Sequence, residues 1–262
     1  MSLSVNKSKY IRSLKEKKFR NLHNCFIAEG EKLVLDLMGK CKCQIIIALP
    51  KIIERYSKIE AEEVIVATEN DLKKVTLLKT APTVIGVFYK PEYNNVKMDY
   101  SKDLSLVLDQ VQDPGNVGTI VRIADWFGIK NIFCSHNCAD VYNPKTIQAT
   151  MGSISRVNVI YTDIVKHLKE NLEYPIYGTF IDGDNIYSEE LTENGIIVMG
   201  SEGKGISKEI EALIERKLYI PKYPYNPLSL NSPESLNVAV AASITCYEFR
   251  RKQKKSRIEN NT

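Results

Sequence analysis

Short apolar runs alternate along the chain with longer lysine- and glutamate-rich stretches of helical period. Near the N-terminus, apolar runs at 44–49, 63–68 and 83–89 are candidate strands. After a polar stretch the runs resume at 104–109, 130–134, 156–161, 174–180, 195–200 and 217–220. Buried strands that alternate with helical segments are typical of parallel sheets covered by helices. We therefore predict an α/β fold made of two successive units.

The polar stretch between the two sets of strands, residues 90–103, predicts the domain boundary. It contains Pro91 and two asparagines and has no sustained apolar period, which is typical of a linker. The predicted organisation is a smaller domain over residues 1–90, a linker over 91–103, a larger domain over 104–253 and a basic tail over 254–262.

The first stretch with candidate chemistry is DPGNVGTIVRIADWFGI, residues 113–129, directly after the predicted strand 104–109. Helical spacing puts five apolar residues on one side, namely Val117, Ile120, Val121, Ala124 and Phe127. Asn116, Thr119 and Arg122 fall on the polar side. A helix N-terminus behind a strand can bind an anion, and a guanidinium suits a phosphate. The alternative is that Asn116 only caps the helix and Arg122 is a surface side chain.

The second stretch is IIVMGSEGKGIS, residues 196–207, a strand that breaks into a glycine-rich turn before a helix near Ser207. Its spacing matches neither the Walker A pattern nor the dinucleotide fingerprint. Gly200 and Gly203 would let the backbone approach a ligand closely, and Glu202 places a carboxylate at the carboxyl end of a strand, where open α/β sheets bind ligands. The alternative is a tight turn without further function.

The third stretch, residues 217–253, contains the tripeptide SLN twice. Ser232, followed by Pro233 and Glu234, predicts the start of a helix over 234–250. Its predicted apolar stripe consists of Leu236, Val240, Ile244 and Tyr247, beside a run of small residues. The second SLN, Ser235 to Asn237, opens this helix, whereas the first, Ser229 to Asn231, lies in a proline-flanked loop.

Composition describes an ordinary globular protein of 262 residues, with 44% apolar and 26% charged residues. No apolar run approaches the length of a membrane span, and the N-terminus lacks the apolar core of a signal peptide, so we expect a cytoplasmic protein without membrane association. The six cysteines form no CxxC pair. CSHNC at 134–138 could suggest a metal, but three soft ligands so close together rarely complete a site, and we expect an ordinary loop and no metal.

Charge is distributed unevenly around a formal net charge of +4. The first twenty residues hold a single acid, Glu16, against the basic residues Lys7, Lys9, Arg12, Lys15, Lys17, Lys18 and Arg20. The sequence RRKQKKSR lies near the C-terminus. Basic ends of this kind favour a nucleic-acid partner through counterion release, and the alternative is a solvated helix face with a charged tail.

Taken in order, the three stretches resemble the SpoU/TrmH family of RNA ribose methyltransferases, within the knotted SPOUT superfamily. NVGTIVRIADWFG is similar to the first family motif, MGSEGKGIS to the second, and IP followed by SLNVAVAAS to the third. The segment 140–157 resembles the family's Asn-Pro-Lys and Met-Gly-Ser region. The first 90 residues more loosely resemble a ribosomal-protein-L30-like substrate domain. The insertion PYNPLSLNSP departs from the family pattern.

The resemblance implies a trefoil knot, a homodimer, an RNA substrate and S-adenosylmethionine as methyl donor, with S-adenosylhomocysteine as product. Carried over position by position, Gly200, Ile220 and Leu236 would hold the cofactor through backbone groups. The residues that would line the reacting site are Asn116, Arg122, Glu202, Ser235 and Asn237. The L30-like domain favours ribosomal RNA over transfer RNA.

Two other functions remain open from the sequence. One is a catalytically silent RNA-binding protein, although such a module would have no need for Arg122, Glu202 and Asn237 together. The other is a SPOUT base methyltransferase, against which the pairing of Asn-x-Gly with an arginine in the first motif favours ribose methylation.

Overall fold

The computed structural model describes residues 3–56, 59–92, 98–223 and 235–259, with side chains described as far as residue 251. Within these ranges the chain forms two compact units. The first contains residues 1–94 together with 140–156, and the second contains 95–139 together with 157–262. The segment 140–156 lies between strands of the second unit in chain order but clusters with the first.

The elements follow in chain order. They begin with α1 Val5–Ser13, α2 Lys17–His23, β1 Cys25–Glu29, α3 Glu31–Leu37, β2 Cys43–Ala48, α4 Pro50–Arg55, β3 Glu63–Val66, α5 Glu69–Val75 and β4 Val84–Tyr89. They continue with β5 Leu104–Leu108, α6 Pro114–Trp126, β6 Asn131–Cys134, α7 Pro144–Thr150, a 3₁₀ turn Ser153–Ser155, β7 Asn158–Tyr161, α8 Ile164–Lys169, β8 Ile176–Phe180 and β9 Asp184–Asn185. The last are β10 Gly195–Met199, α9 Lys208–Glu211, β11 Arg216–Tyr219 and α10 Val238–Glu259.

The first unit is built on a four-stranded sheet in the order β1-β4-β2-β3. β4 runs antiparallel to both of its neighbours, while β2 and β3 are parallel. The β-branched residues of β2 and β4, such as Ile45, Ile47 and Val87, are buried together with Ile11 and Leu14 of the N-terminal helical region. β-branched side chains suit such a pleated, two-sided core.

A buried ion pair joins the two chain segments of the first unit. Arg20 is 1% exposed, and its Nε and Nη2 donate to Asp140 Oδ2 at 3.1 and 2.6 Å. Its Nη1 donates to the backbone carbonyls of Leu14 and Lys15. Arg20 therefore lies inside the first unit and does not belong to the accessible basic surface that the N-terminal charges predict.

The second unit is built on a seven-stranded sheet in the order β7-β6-β5-β10-β8-β11-β9, with every neighbouring pair parallel. This confirms the predicted α/β class and the mostly parallel sheet. Its core contains Val107, Ile196 and Val198 from the central strands. Tyr100, in the stretch predicted as a linker, is also buried in this core.

Helices α6 and α10 pack against each other in the same direction. Asn237 Nδ2 donates to Asn116 Oδ1 near the start of both helices, at 3.1 Å, and Arg250 Nε donates to the Phe127 carbonyl at the end of α6, at 2.9 Å. The predicted apolar side of α6 is confirmed for Val117, Ile120, Val121 and Ala124, which are all buried. Phe127 is partly buried.

The predicted start of the last helix is wrong. Residues 235–237 are not helical and α10 begins at Val238; Ser232, Pro233 and Glu234 lie outside the described residues, as does the first SLN. Asn237 is the cap, because its Oδ1 accepts from Ala239 N and Val240 N at 3.0 and 3.3 Å.

The predicted apolar stripe of this helix also faces the wrong way. Leu236, Val240 and Tyr247 are 46%, 48% and 52% exposed, and Ile244 is only partly buried. The face that packs inward consists of Val238, Ala239, Ala242, Thr245, Cys246 and Phe249. Small residues allow α10 to lie close to α6, which leaves the larger side chains outside.

We expect Asp140→Ala to destabilise the first unit by about 3 kcal/mol, because it leaves the guanidinium of Arg20 buried without its charge partner. Urea unfolding, with hydrogen exchange of the β1 and β4 amides to localise the effect, measures this. Glu170→Ala breaks an exposed pair with Lys166 and serves as the control, with an expected change below about 0.5 kcal/mol. Equal effects of the two substitutions would contradict the role of the buried pair.

Candidate active site

The carboxyl ends of four neighbouring strands meet at one edge of the second unit's sheet. Extending the pairing of β10 with β5 by one residue puts Gly200 level with Asp109, and extending its pairing with β8 by two residues puts Gly200 level with Phe180, at the end of β8. Tyr219, the last residue of β11, also pairs with Phe180. Ile220 therefore follows at the same edge, two strands and about 10 Å from Gly200. This is the edge at which open parallel sheets bind ligands.

Helix α6 starts from this edge with a complete cap. The Asp113 side chain accepts from Asn116 N at 3.0 Å, and Pro114 occupies the first helical turn. The helix is therefore capped by Asp113 and not by Asn116, which was the alternative role considered for Asn116. The side chain of Asn116 is left available to contact the loop that follows β10.

A tight turn follows β10. Ser201 and Gly205 exchange two backbone hydrogen bonds, of 3.0 and 2.8 Å, and Lys204 N donates to Ser201 Oγ. The turn folds back on Gly200, where a β-carbon would lie 2.2 Å from the carbonyl carbon of Gly205. Only glycine fits at position 200, because the backbone of the turn packs directly against it. The close approach of Gly200 and Gly203 to a ligand stays a prediction.

One oxygen of Glu202 accepts from three donors on two other segments. Its Oε1 accepts from Asn116 Nδ2 at 3.0 Å, from Asn237 Nδ2 at 2.5 Å and from Val238 N at 3.2 Å. Asn237 also donates to Asn116, so the three side chains form a closed triangle. The structure thus brings together Asn116, Glu202 and Asn237, one from each sequence motif, and joins the second motif to the first turn of α10.

A cleft of about 240 Å³ opens beside this triangle in the second unit. It is lined by Gln110, Val111, Gln112, Asp113, Asn116, Ser201, Glu202, Gly203, Lys204 and Val238. Sequence reasoning did not select Gln110, Gln112, Asp113 or Lys204. The polar run between the predicted strand 104–109 and the start of the helix could have identified three of them. Side chains that follow a parallel strand lie at the carboxyl edge of the sheet, where ligands bind.

The other predicted site residues do not line the cleft. Arg122 is exposed on α6, six residues after Asn116, which corresponds to a rotation of about 240° and a rise of about 9 Å. Within the described ranges its guanidinium has no hydrogen-bond or ion-pair partner. Ser235 and Leu236 are exposed just before α10, and Ile220 is partly buried after β11.

The cysteine-containing loop supports the cleft. Ser135 Oγ accepts from Gln110 N at 2.9 Å and lies 3.5 Å from Cys138 Sγ. The hydrogen bond with Cys138, together with burial, raises the pKa of the Cys134 thiol well above its usual value. The same contact with Cys134, followed by bonds from Ser135 and the backbone, lowers the pKa of Cys138 to about 7 despite its burial.

Among the described residues, no group of three or more His, Cys, Asp or Glu side chains is arranged to hold a metal ion. None of the helices in the described part of the chain is both long and apolar enough to cross a bilayer.

Comparison with known proteins agrees with this arrangement. Residues 103–247 match the family model of the SpoU rRNA Methylase family, and residues 6–86 match that of the MRM3-like substrate binding domain. The fold is similar, at a TM-score of 0.85 and 38% identity, to a solved Porphyromonas gingivalis protein named as a candidate RNA methyltransferase of the TrmH family. That likeness covers 95% of this chain and 99% of the other.

Two named relatives are similar in sequence. The chain is 29% identical to the Bacillus subtilis 23S rRNA (guanosine(2553)-2'-O)-methyltransferase RlmP, over 95% of this chain and 98% of the relative. It is 26% identical to a mitochondrial rRNA methyltransferase 3A of Danio rerio over 89% of this chain, and it spans 65% of that longer relative.

We expect Gly200→Ala to lower the stability of the second unit by about 1–3 kcal/mol or more, because the added methyl group meets rigid backbone. Gly203 is the matched control, since a β-carbon there has open space within 4 Å. Gly203→Ala should change stability by less than about 0.5 kcal/mol. Urea unfolding of both variants measures the difference, and a Gly200→Ala protein as stable as Gly203→Ala would refute the close approach.

Proposed function

Because the chain belongs to the SpoU rRNA methylase family, we propose that it methylates the 2'-hydroxyl of a ribose in structured RNA. The methyl donor would be S-adenosylmethionine and the product S-adenosylhomocysteine. The observation that carries the proposal is the Asn116–Glu202–Asn237 triangle, which joins residues of all three motifs beside a cleft at the carboxyl edge of the sheet. A protein that only binds RNA has no need for three polar side chains from separate motifs to be joined beside a cleft.

The residues proposed to hold the cofactor fit a backbone-mediated site. Gly200 has no room for a side chain, and Ile220 follows β11 at the same edge. Leu236 precedes the Asn237 cap of α10, so the bonds to Glu202 limit its position. When bound, S-adenosylmethionine supplies an electrophilic methyl group; the chain must orient the ribose hydroxyl toward it. The trefoil knot of the family is part of the same proposal.

Arg122 is proposed to bind a substrate phosphate and to stabilise negative charge that develops on the ribose oxygen. A guanidinium has five donors and no acceptor, so it is ill suited to remove a proton. Its exposed position, without a partner among the described residues, leaves those donors available to RNA. Proton removal would then fall to a phosphate or to water. Ser235, Asn116 and Asn237 would orient the ribose or the arginine.

Ribosomal RNA is the proposed substrate class, in the cytoplasm. The Bacillus subtilis relative, whose length the chain covers almost completely, is named as an enzyme of 23S rRNA. The first unit contains the match to a substrate-binding domain, and its N-terminal helical region exposes Lys9, Lys15 and Lys17 to solvent. Exposed lysines of this kind favour the phosphate backbone of RNA.

A homodimer is proposed to complete the site. Helix α10 exposes Val240 and Tyr247, and Trp126 of the neighbouring helix α6 is 84% exposed. Arg122 lies on α6 within the first motif, one helical turn before Trp126. A second copy packed against these helices would bring its own Arg122 near the cleft of the first. The exposed apolar side chains favour a protein partner on this face.

The reaction is tested by mapping 2'-O-methylation across total RNA from a strain that lacks the gene. We expect one ribosomal site to be lost and to return with the wild-type gene but not with Arg122→Ala. In vitro, Arg122→Ala should abolish methyl transfer and leave cofactor affinity within about threefold, because its proposed partners are phosphate and ribose. Lys130→Ala, another exposed cation of the second unit, should change the rate by less than about twofold.

Two results would count against these assignments. If no ribose site is lost in the deletion strain, the chain is not a ribose methyltransferase of those RNAs. If Arg122→Ala weakens cofactor binding as much as it slows methyl transfer, then Arg122 serves the donor and not the RNA.

The dimer is tested by sedimentation equilibrium at micromolar concentration. We expect the wild-type chain to be dimeric and Val240→Asp to be largely monomeric, because a carboxylate would be buried in the interface. Leu172→Asp, at an apolar residue that is 55% exposed elsewhere in the second unit, should remain dimeric. A monomeric wild-type protein would disprove the proposal.

A further inference from the structure

Gln110 has a backbone conformation that glutamine rarely adopts. Its φ is 55°, in the left-handed region that disfavours residues with a β-carbon. Glycine or asparagine would adopt it more readily. Residues held in such disfavoured backbone conformations cluster at functional sites, and Gln110 lies at a cleft. This combination points to a role for its side chain in binding.

The surrounding structure imposes this conformation. Gln110 N donates to Ser135 Oγ at 2.9 Å. The preceding residue, Asp109, is 2% exposed; its N donates to the Met199 carbonyl at 2.9 Å and its Oδ2 accepts from Ser207 N at 2.8 Å. The chain is thus held on both sides, by the loop after β6 and by the turn after β10, and the Cα of Gln110 has a defined place at the cleft.

The carboxamide of Gln110 is available for a ligand. Gln110 is partly buried and lines the cleft together with Asn116 and Glu202. The amides of Asn116 and Asn237 and one oxygen of Glu202 already bond to one another. No hydrogen bond to the Gln110 side chain occurs within the described part of the chain. Its carboxamide therefore offers both a donor and an acceptor to whatever enters.

We propose that Gln110 is a specificity-determining residue that hydrogen-bonds the base of the nucleotide whose ribose is methylated. This inference rests on the proposed function. Unstacked bases of RNA are read by hydrogen bonds to their edges, and a carboxamide can pair with a base edge through its donor and its acceptor at once. The cleft, at about 240 Å³, is below the range that is typical of pockets for drug-sized ligands.

The test compares Gln110→Gly with Gln110→Asn. Gln110→Gly removes the carboxamide and relieves the strain of the left-handed backbone. If the side chain had no role beyond structure, this variant would be at least as stable as the wild type and equally active. Gln110→Asn keeps an amide and tolerates the left-handed conformation. Asn24→Gly, at a φ of 50° in the first unit, gives the reference change in melting temperature for the same backbone replacement.

The substrates are transcripts that carry the mapped ribose site with each of the four bases at the target position. We expect the wild-type chain to prefer the native base by at least about tenfold in kcat/KM, and Gln110→Gly to reduce this preference to within about threefold. Gln110→Asn should retain part of the preference. The melting temperature of Gln110→Gly should equal or exceed that of the wild type, as set by the Asn24→Gly reference, and the dissociation constant for S-adenosylmethionine, measured by calorimetry, should match that of the wild type.

Three results would overturn the inference. A wild-type preference that persists in Gln110→Gly shows that another group reads the base, and a wild type without preference shows that no group does. If Gln110→Gly loses as much affinity for S-adenosylmethionine as it loses in rate, the carboxamide binds the methyl donor and not the base. A wild-type chain that methylates no transcript at all refutes the proposed function itself, which the three results above leave intact.

Discussion

The carboxylate of Glu202 is the acceptor on which the arrangement of the site depends. Its Oε1 binds the amide of Asn116 at the start of α6, and both the amide of Asn237 and the backbone of Val238 at the start of α10. The two bonds from the amides are exposed and the bond from Val238 N is partly buried. Each is modest in net free energy, since water competes for the same groups. Together they join three segments that are far apart in sequence, and they give two parallel helices a common starting point.

This acceptor can reach its donors only because of the turn that carries it. Gly200 lets the chain fold back directly after β10, and the paired backbone of Ser201 and Gly205 holds Glu202 at the apex. Asp109, buried between β5 and the turn, bonds to Ser207 N and fixes the far side. The edge of the sheet thus provides rigid support, while the polar groups that it presents to the cleft remain accessible.

Much of this arrangement is predictable from the sequence, because it depends on local pattern. The apolar run at 104–109 and the helical spacing from Val117 to Ala124 each identify their element and its buried face. The start of α10 is not predictable in this way. Ser232-Pro-Glu is a strong local signal, yet the helix begins at Val238, after a cap on Asn237 that a distant carboxylate reinforces.

The faces of α10 and the conformation of Gln110 also depend on contacts between distant segments. Val240 and Tyr247 form a stripe that looks like a packing face, but the smaller residues beside them fit against α6. Glutamine has no preference for a positive φ, so nothing in the local sequence predicts the left-handed turn at Gln110. It follows from the bond to Ser135, a residue from another strand's loop.

The most direct test of the account is a double-mutant cycle on methyl transfer with Glu202→Ala, Asn237→Ala and the combined variant. If the triangle works as one unit, each single substitution should slow turnover by at least about tenfold, and the double variant should be no more than about threefold slower than the worse single one. Rate losses that multiply in the double variant would show that the two residues act independently, and would contradict the claim that one carboxylate assembles the site.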